Sequence, residues 1–318
     1  MKKFWLKILI MILLVSSTIL CIFTAPFILP INPSRYLAEH IDKRNLIVST
    51  PSPRIILLGG SNLAFSVDSK LIEKETGYNV VNFGLAGGLG MRLMINDLEK
   101  YLKKDDVVIL SPEYLHFSIM LNGSGPDLVG LISADPVVLT SISSLKQINN
   151  IFPQILLLIK IEVKDYISYI RGKNWEVCEN NGFCRYNFDS YGDEVAHLFK
   201  ISPGLINEPS IPETEPSSES IKVISDFVKF AEKKNVKTFY SFPPLLDTEF
   251  DKDKIGIMKI YETVKKINGL TVIDSPSDYR LPINLFYDQK YHLTREGRKI
   301  RTNLLISKLL KVVPRVKE

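Results

Sequence analysis

The sequence predicts an α/β fold built on a parallel sheet, preceded by one membrane-crossing helix and interrupted by a long, mostly helical insertion. Three observations carry this expectation. Residues 8–29 form an uncharged, almost wholly apolar stretch. Beyond it, short unbroken apolar runs alternate with amphipathic stretches over 54–110 and again over 219–311. An unbroken run suits a strand buried on both faces of a parallel sheet. Between those regions, from about 115 to 215, the alternation stops.

At about 1.5 Å per residue the N-terminal stretch is long enough to cross a hydrocarbon core of about 30 Å. Lys2, Lys3 and Lys7 lie on its short side, so the positive-inside tendency leaves the N-terminus cytoplasmic and everything after Pro30 outside. A cleaved signal peptide is the rival reading, disfavoured by the length of the apolar run and the lack of a clean small-x-small site. Leu20 before Cys21 argues against a lipoprotein. Residues 1–33 therefore read as cytoplasmic tip and anchor of the cytoplasmic membrane. Residues 34–53 are a connector punctuated by Pro51 and Pro53, and 54–318 are one domain with the insertion at about 115–215.

Within the domain the expected order is strand 54–58, helix 68–76, strand 79–83, helix 91–102 and strand 107–110. The insertion shows helical patterning over 133–150 and 154–170, then a Pro-, Glu- and Ser-rich segment over 207–220 that reads as flexible surface. The alternation resumes with helix 219–233, strand 236–241, helix 253–267 and strand 270–273. A last helix is capped by Thr294 and runs to about 311.

The composition of the 318 residues, 45% hydrophobic and 24% charged, is that of a globular protein and excludes a disordered chain. The net charge of +5 falls to +2 once Lys2, Lys3 and Lys7 are set aside, too little to argue for a nucleic-acid partner. Cys178 and Cys184 flank the turn-rich Glu179-Asn180-Asn181-Gly182. In an oxidising compartment such a pair closes a small loop. Two free buried thiols fit the same spacing, and a zinc site lacks ligands, so no metal is expected.

Three segments fall where strands of such a sheet end, the place where open α/β sheets bind ligands. In Gly59-Gly60-Ser61-Asn62 the glycines permit a tight turn that leaves Ser61 at a helix start, although Gly-Gly-Ser is also an ordinary turn. Residues 84–90 are glycine-rich but match neither nucleotide-binding glycine pattern, and read as a backbone-lined wall beside a carbonyl substrate. Before the last helix stand Asp288 and His292. A serine nucleophile needs a base, and that imidazole needs an acid to fix its tautomer. A surface Asp and a packed His are the alternative. His116 is a further candidate to line the crevice, while His40 and His197 read as surface or structural.

Taken in order, these residues resemble the SGNH/GDSL hydrolase superfamily over 54–114 and 236–311, which implies a three-layer, flavodoxin-like parallel sheet with helices on both faces. Within it the layout is most similar to membrane-anchored D-alanyl transfer proteins of the DltD type and related exopolysaccharide acyltransfer proteins. The shared features are the membrane helix, the serine turn, the motif Ser111-Pro112-Glu113-Tyr114, and His292 with Leu293 and Gly297. The resemblance implies Ser61 as nucleophile, His292 as base and Asp288 as its orienting acid, with Gly60, Asn62, Gly84, Gly87, Glu113 and His116 around the oxyanion and substrate. It also implies an acyl-serine intermediate, no cofactor, a cell-surface glycan or acyl donor as substrate, and a membrane-bound acyltransferase as a candidate partner. Three departures stand out. Gly60 replaces the usual Asp, Glu113 stands near the place of an oxyanion Asn, and three residues rather than two separate Asp288 from His292. A carboxylate opposes a developing oxyanion, so Glu113 must point away, be protonated or play another role. A catalytically silent glycan-binding or scaffold module is the alternative function.

Overall fold

The computed structural model describes residues 2–29, 32–173, 175, 178, 183–206 and 208–316. The first element, α1 (Lys2–Ile28), is long and apolar enough to cross a membrane or to act as a signal sequence. The connector contains α2 (Glu39–Ser49), whose Ile47 is fully buried.

The body is a five-stranded parallel sheet. Its first half runs β1 (Arg54–Gly59), α3 (Ser61–Ser66), α4 (Ser69–Thr76), β2 (Asn79–Asn82), α5 (Met91–Leu98) and β3 (Val107–Ser111). The insertion contributes α6 (Gly125–Ala134), α7 (Leu145–Ile151) and α8 (Ile155–Ile170). Then follow α9 (Ser218–Lys233), β4 (Lys237–Tyr240), β5 (Leu245–Leu246), α10 (Asp247–Lys252), α11 (Lys254–Val264), β6 (Thr271–Val272), β7 (Arg280–Leu281) and α12 (Arg295–Leu309). The sheet order is β2-β1-β3-β4-β6, and β5 pairs separately with β7. The chain therefore winds outward from β1 in both directions.

Alternation along the strands explains why both faces are covered. Ile56, Leu58, Val108 and Leu110 pack with α5, α6, α9 and α11, while Ile55, Leu57, Val107 and Ile109 pack with α4 and α12. Successive side chains of a strand point to opposite faces, so runs with no polar residue need apolar helices on each side. The crevice beyond the carboxyl ends of β1, β2 and β3 then belongs to residues 60–62, 82–90 and 111–117.

The structure corrects the sequence reading in two places. The single helix expected over 133–150 is broken, since Asp135 adopts an extended backbone ahead of Pro136, which cannot follow a helical residue comfortably. Ser144 then restarts α7 with a capping box to Gln147. The segment expected to be flexible surface over 207–220 lies mostly at the surface, but it is tied down at Ile211, which is buried and whose N–H donates to Asp253 Oδ2 at 2.8 Å. Asn207 and the turn expected over 179–182 lie outside the described residues. Cys178 and Cys184 form a disulfide, with a Cα–Cα distance of 5.8 Å.

His40 is structural, as one of its two readings expected, and it is buried. Its Nε2 meets Asp97 at 2.9 Å and its Nδ1 meets Asp135 at 2.8 Å. Burial pulls its pKa down, but the hydrogen bonds and charges of Asp135 and Asp97 win and hold it above the ordinary value. A His pKa raised on folding adds stability that is complete below its unfolded value of about 6.5 and is lost as pH climbs through the folded value. We expect thermal melts to show that decline above about pH 6.5. His40→Gln should flatten it and cost about 3 kcal/mol, because two charge-assisted hydrogen bonds are lost and Asp135 and Asp97 keep as cations only Arg44 at 2.6 Å and Lys100 at 3.2 Å.

Candidate active site

The turn after β1 places Ser61 as the first residue of α3, partly exposed, with Asn62 wholly buried behind it. Asn62 does not face the crevice as expected. Its Nδ2 donates to the Ser111 carbonyl at 2.9 Å, and its Oδ1 accepts from Arg301 Nη2 at 2.9 Å. Arg301 also donates to the Asn62 carbonyl and, at 3.2 Å, to Ser111 Oγ. One guanidinium from α12 thus ties the ends of β1 and β3 together beneath the serine. Burial lowers its pKa to about 10, which still leaves it charged at neutral pH. Arg301→Leu should destabilise the fold by about 3 kcal/mol in denaturant titrations, since it removes three hydrogen bonds from a buried cation to Asn62 and Ser111 and leaves Asn62 Oδ1 with only Ser111 Oγ at 3.2 Å.

Asp288 and His292 meet as the sequence predicts. His292 Nδ1 lies 2.7 Å from Asp288 Oδ1, and both residues are buried. The three-residue spacing is accommodated by a local reversal: the Tyr287 N–H donates to the His292 carbonyl at 2.8 Å, and the His292 N–H donates to Gln289 at 3.2 Å. The imidazole stacks flat on Phe65, with ring centroids 3.8 Å apart and planes inclined by 6°. Phe65 lies four residues after Ser61 on α3, and residues so spaced share a helix face. Ser66 Oγ reinforces the docking by donating to the Tyr291 carbonyl at 2.6 Å and accepting the Leu293 N–H at 3.0 Å. His292 is therefore held against the face of α3 that carries Ser61.

The two halves of the expected triad are not hydrogen-bonded to each other. Ser61 Oγ donates to Glu113 Oε1 at 3.2 Å, and the Asn62 N–H points at the same oxygen at 3.3 Å. His292 Nε2, buried, has no hydrogen-bond partner among the described residues. Glu113 does not point away. Its carboxylate sits between Gly60 and Gly87, and a Cβ on either glycine would collide with it. The sequence departures at 60 and 113 are thus one feature, because Glu113 fills the space that a side chain at 60 would need.

The remaining candidates have mostly structural roles. The Gly84 N–H is not a free oxyanion donor, since it donates to Asn82 Oδ1 at 3.0 Å. His116 is fully buried and does not open on the crevice. Its Nδ1 accepts the Glu113 N–H at 2.9 Å and its Nε2 meets the Gly87 carbonyl at 2.8 Å, which requires a neutral ring with the proton on Nε2. Burial lowers its pKa accordingly. His116 thereby locks the Glu113 loop onto the Gly87 loop. His197 is buried too, pairing with Glu194 and meeting the Leu293 carbonyl at 3.0 Å.

Sequence reasoning missed the aromatic wall. Phe65 and Phe183, beside the disulfide, flank the imidazole, with Phe183 edge-on to His292 at 6.1 Å and to Phe65 at 5.2 Å, and Tyr36 from the connector packs on both phenylalanines. The interval from Ser61 to Phe65 was a usable signal; nothing local marked Tyr36 or Phe183. Behind this wall a cavity of about 360 Å³ is lined by Tyr36, Phe183, Arg35, Lys164 and Trp175. Among the described residues no cluster of His, Cys, Asp or Glu is suited to a metal ion. What the arrangement offers is a hydroxyl, a carboxylate-oriented imidazole with an open nitrogen, and a second carboxylate on the hydroxyl. No family model matches this sequence, and no curated protein does.

Proposed function

We propose that this protein is a membrane-anchored, extracytoplasmic acyltransferase or esterase of the SGNH type, acting on a cell-surface polysaccharide through an acyl-Ser61 intermediate. The observation that carries the reading is the buried His292–Asp288 pair, with His292 Nε2 unpartnered and the ring stacked on the helix that begins with Ser61. The strand order β2-β1-β3-β4-β6 supports a flavodoxin-like, SGNH-type sheet. The disulfide supports an oxidising compartment, in agreement with an uncleaved α1 and an outward-facing domain.

In this reading Ser61 Oγ leaves Glu113 and attacks the acyl carbonyl while His292 Nε2 takes its proton. Asp288 holds Nδ1–H and stabilises the imidazolium. The oxyanion takes the position on the Asn62 N–H that Glu113 Oε1 occupies at rest. The adduct collapses as the imidazolium gives its proton to the donor's leaving oxygen, which departs and leaves acyl-Ser61 with a neutral imidazole. A glycan hydroxyl or water, deprotonated by that imidazole, then attacks the acyl-serine, and the imidazolium returns the proton to Ser61 Oγ as it leaves. Glu113 favours a second reading, a silent glycan-binding or scaffold module, because an internal carboxylate already sits on both groups the reaction needs. Surface-glycan acylation in a deletion strain complemented with Ser61→Ala separates the two. Loss with the variant supports catalysis; full restoration supports the scaffold and rejects the enzyme.

A further inference from the structure

We infer that the α7–α8 arm of the insertion lies on the membrane surface, its apolar face in the lipid interface and its lysines on anionic phospholipid headgroups. This rests on the reading of α1 as a membrane anchor.

α8 has three distinct faces. Leu158, Glu162 and Asp165 are buried against the fold. At about 100° per residue, the exposed Leu156, Val163, Tyr166, Ile167 and Ile170 fall together in an arc of roughly 100°. The turn before α8 and α7 itself add Phe152, Ile148 and Leu145. Leu156 is 78% exposed, Leu145 77% and Phe152 64%. A patch of this kind on a soluble surface marks an interaction site.

Charge identifies the partner. Lys160 and Lys164 line the edge of the apolar arc and Arg171 follows, all exposed. The acids of α8 are turned inward, where Asp165 holds Arg35 at 3.0 Å. Among the described residues, the exposed charges between 152 and 173 are all basic. An apolar face flanked by lysines is the signature of a helix lying in an anionic interface.

Position agrees. The Asn32 N–H donates to Asp165 Oδ2 at 2.9 Å, and Asn32 is only four residues past Ile28, the end of α1. That length of chain reaches at most about 14 Å. α1 also touches α6 and α8 directly. Wherever α1 leaves the bilayer, α8 is therefore fastened beside it, within reach of the lipid interface.

The test uses the full chain with Cys21 changed to Ser and a single environment-sensitive fluorophore placed by Leu13→Cys, Ile167→Cys or Lys229→Cys. The proteins are reconstituted in phosphatidylcholine vesicles with or without phosphatidylglycerol, together with lipids carrying a spin-label quencher at shallow or deep positions. The expected result is quenching at 13 by deep labels, at 167 by shallow labels, and none at 229. Lys160→Glu with Lys164→Glu should weaken the quenching at 167 when phosphatidylglycerol is present. Quenching at 13 without quenching at 167 overturns the inference and leaves the anchor standing. A blue-shifted but unquenched probe at 167 means that protein, such as a second copy, covers the face, and also overturns it. No quenching at 13 removes the anchor, and the inference with it.

Discussion

Ser61→Ala should abolish labelling by a fluorophosphonate probe, with a loss of at least about a thousandfold, while leaving the thermal melt unchanged. The expectation follows from chemistry and burial together. Ser61 is partly exposed, and the hydroxyl gives up one hydrogen bond to a carboxylate that keeps the Asn62 N–H, so the fold loses little. The other serine of α3, Ser66, is buried and its hydroxyl is held by the Tyr291 carbonyl and the Leu293 N–H, so it does not replace Ser61. His292→Ala should reach a comparable loss, because groups that act as one unit fail together. Asp288→Asn should keep the fold but favour the wrong tautomer, costing up to about ten-thousandfold. Undiminished labelling of the Ser61 variant would falsify the nucleophile assignment.

Glu113→Gln should speed labelling, by between about tenfold and a thousandfold. The resting carboxylate occupies the place where negative charge must develop. Two like charges about 4 Å apart repel by about 4 kcal/mol at an effective dielectric of 20, and each 1.4 kcal/mol is a factor of ten. The amide is the same size and rests in the same slot between Gly60 and Gly87, but it carries no charge when it yields the Asn62 N–H to the oxyanion. Acylation rates measured at fixed pH for the two proteins check this. A fall instead of a rise would mean that Glu113, and not His292, takes the Ser61 proton. It would also shift the base of the reaction to the β3 loop.

A third carboxyl bears on the pH dependence. Burial raises Glu208 to about 7, against the lowering pull of Lys290, with Glu113 and Asp288 adding to the rise. A carboxyl pKa raised on folding contributes stability that is complete below the unfolded value of about 4.3 and is lost as pH rises toward the folded one. Glu208→Gln should therefore reduce the loss of stability between about pH 5 and 7, read from melts across that range.

Much of this architecture was legible in the sequence because it depends on local pattern. Unbroken apolar runs identify strands covered on both faces, and four of the five expected strand runs became strands of the main sheet with nearly the expected bounds, the fifth shortening to Thr271–Val272. The Asp288–His292 pairing was readable because both residues sit in one turn. The uncharged run in α1 needs no tertiary context at all. The helical insertion was harder, since propensity alone does not show that Asp135-Pro136 ends one helix and Ser144 starts another.

The triad is where tertiary structure decided. Sequence order alone could bring Ser61, Asp288 and His292 to one end of a sheet, and it could flag Gly60 and Glu113 as two separate departures. Only the folded chain makes them a single arrangement: Glu113, carried in by β3 and locked by His116 on Gly87, takes the room left by Gly60 and holds Ser61. Likewise no window of sequence could show that Arg301 braces Asn62 from 239 residues away, or that α8 is pinned beside the end of α1 by Asp165. The reason is physical. Local pattern sets which faces of an element are apolar, but which polar groups share a buried space is settled only when distant segments exclude water from it together.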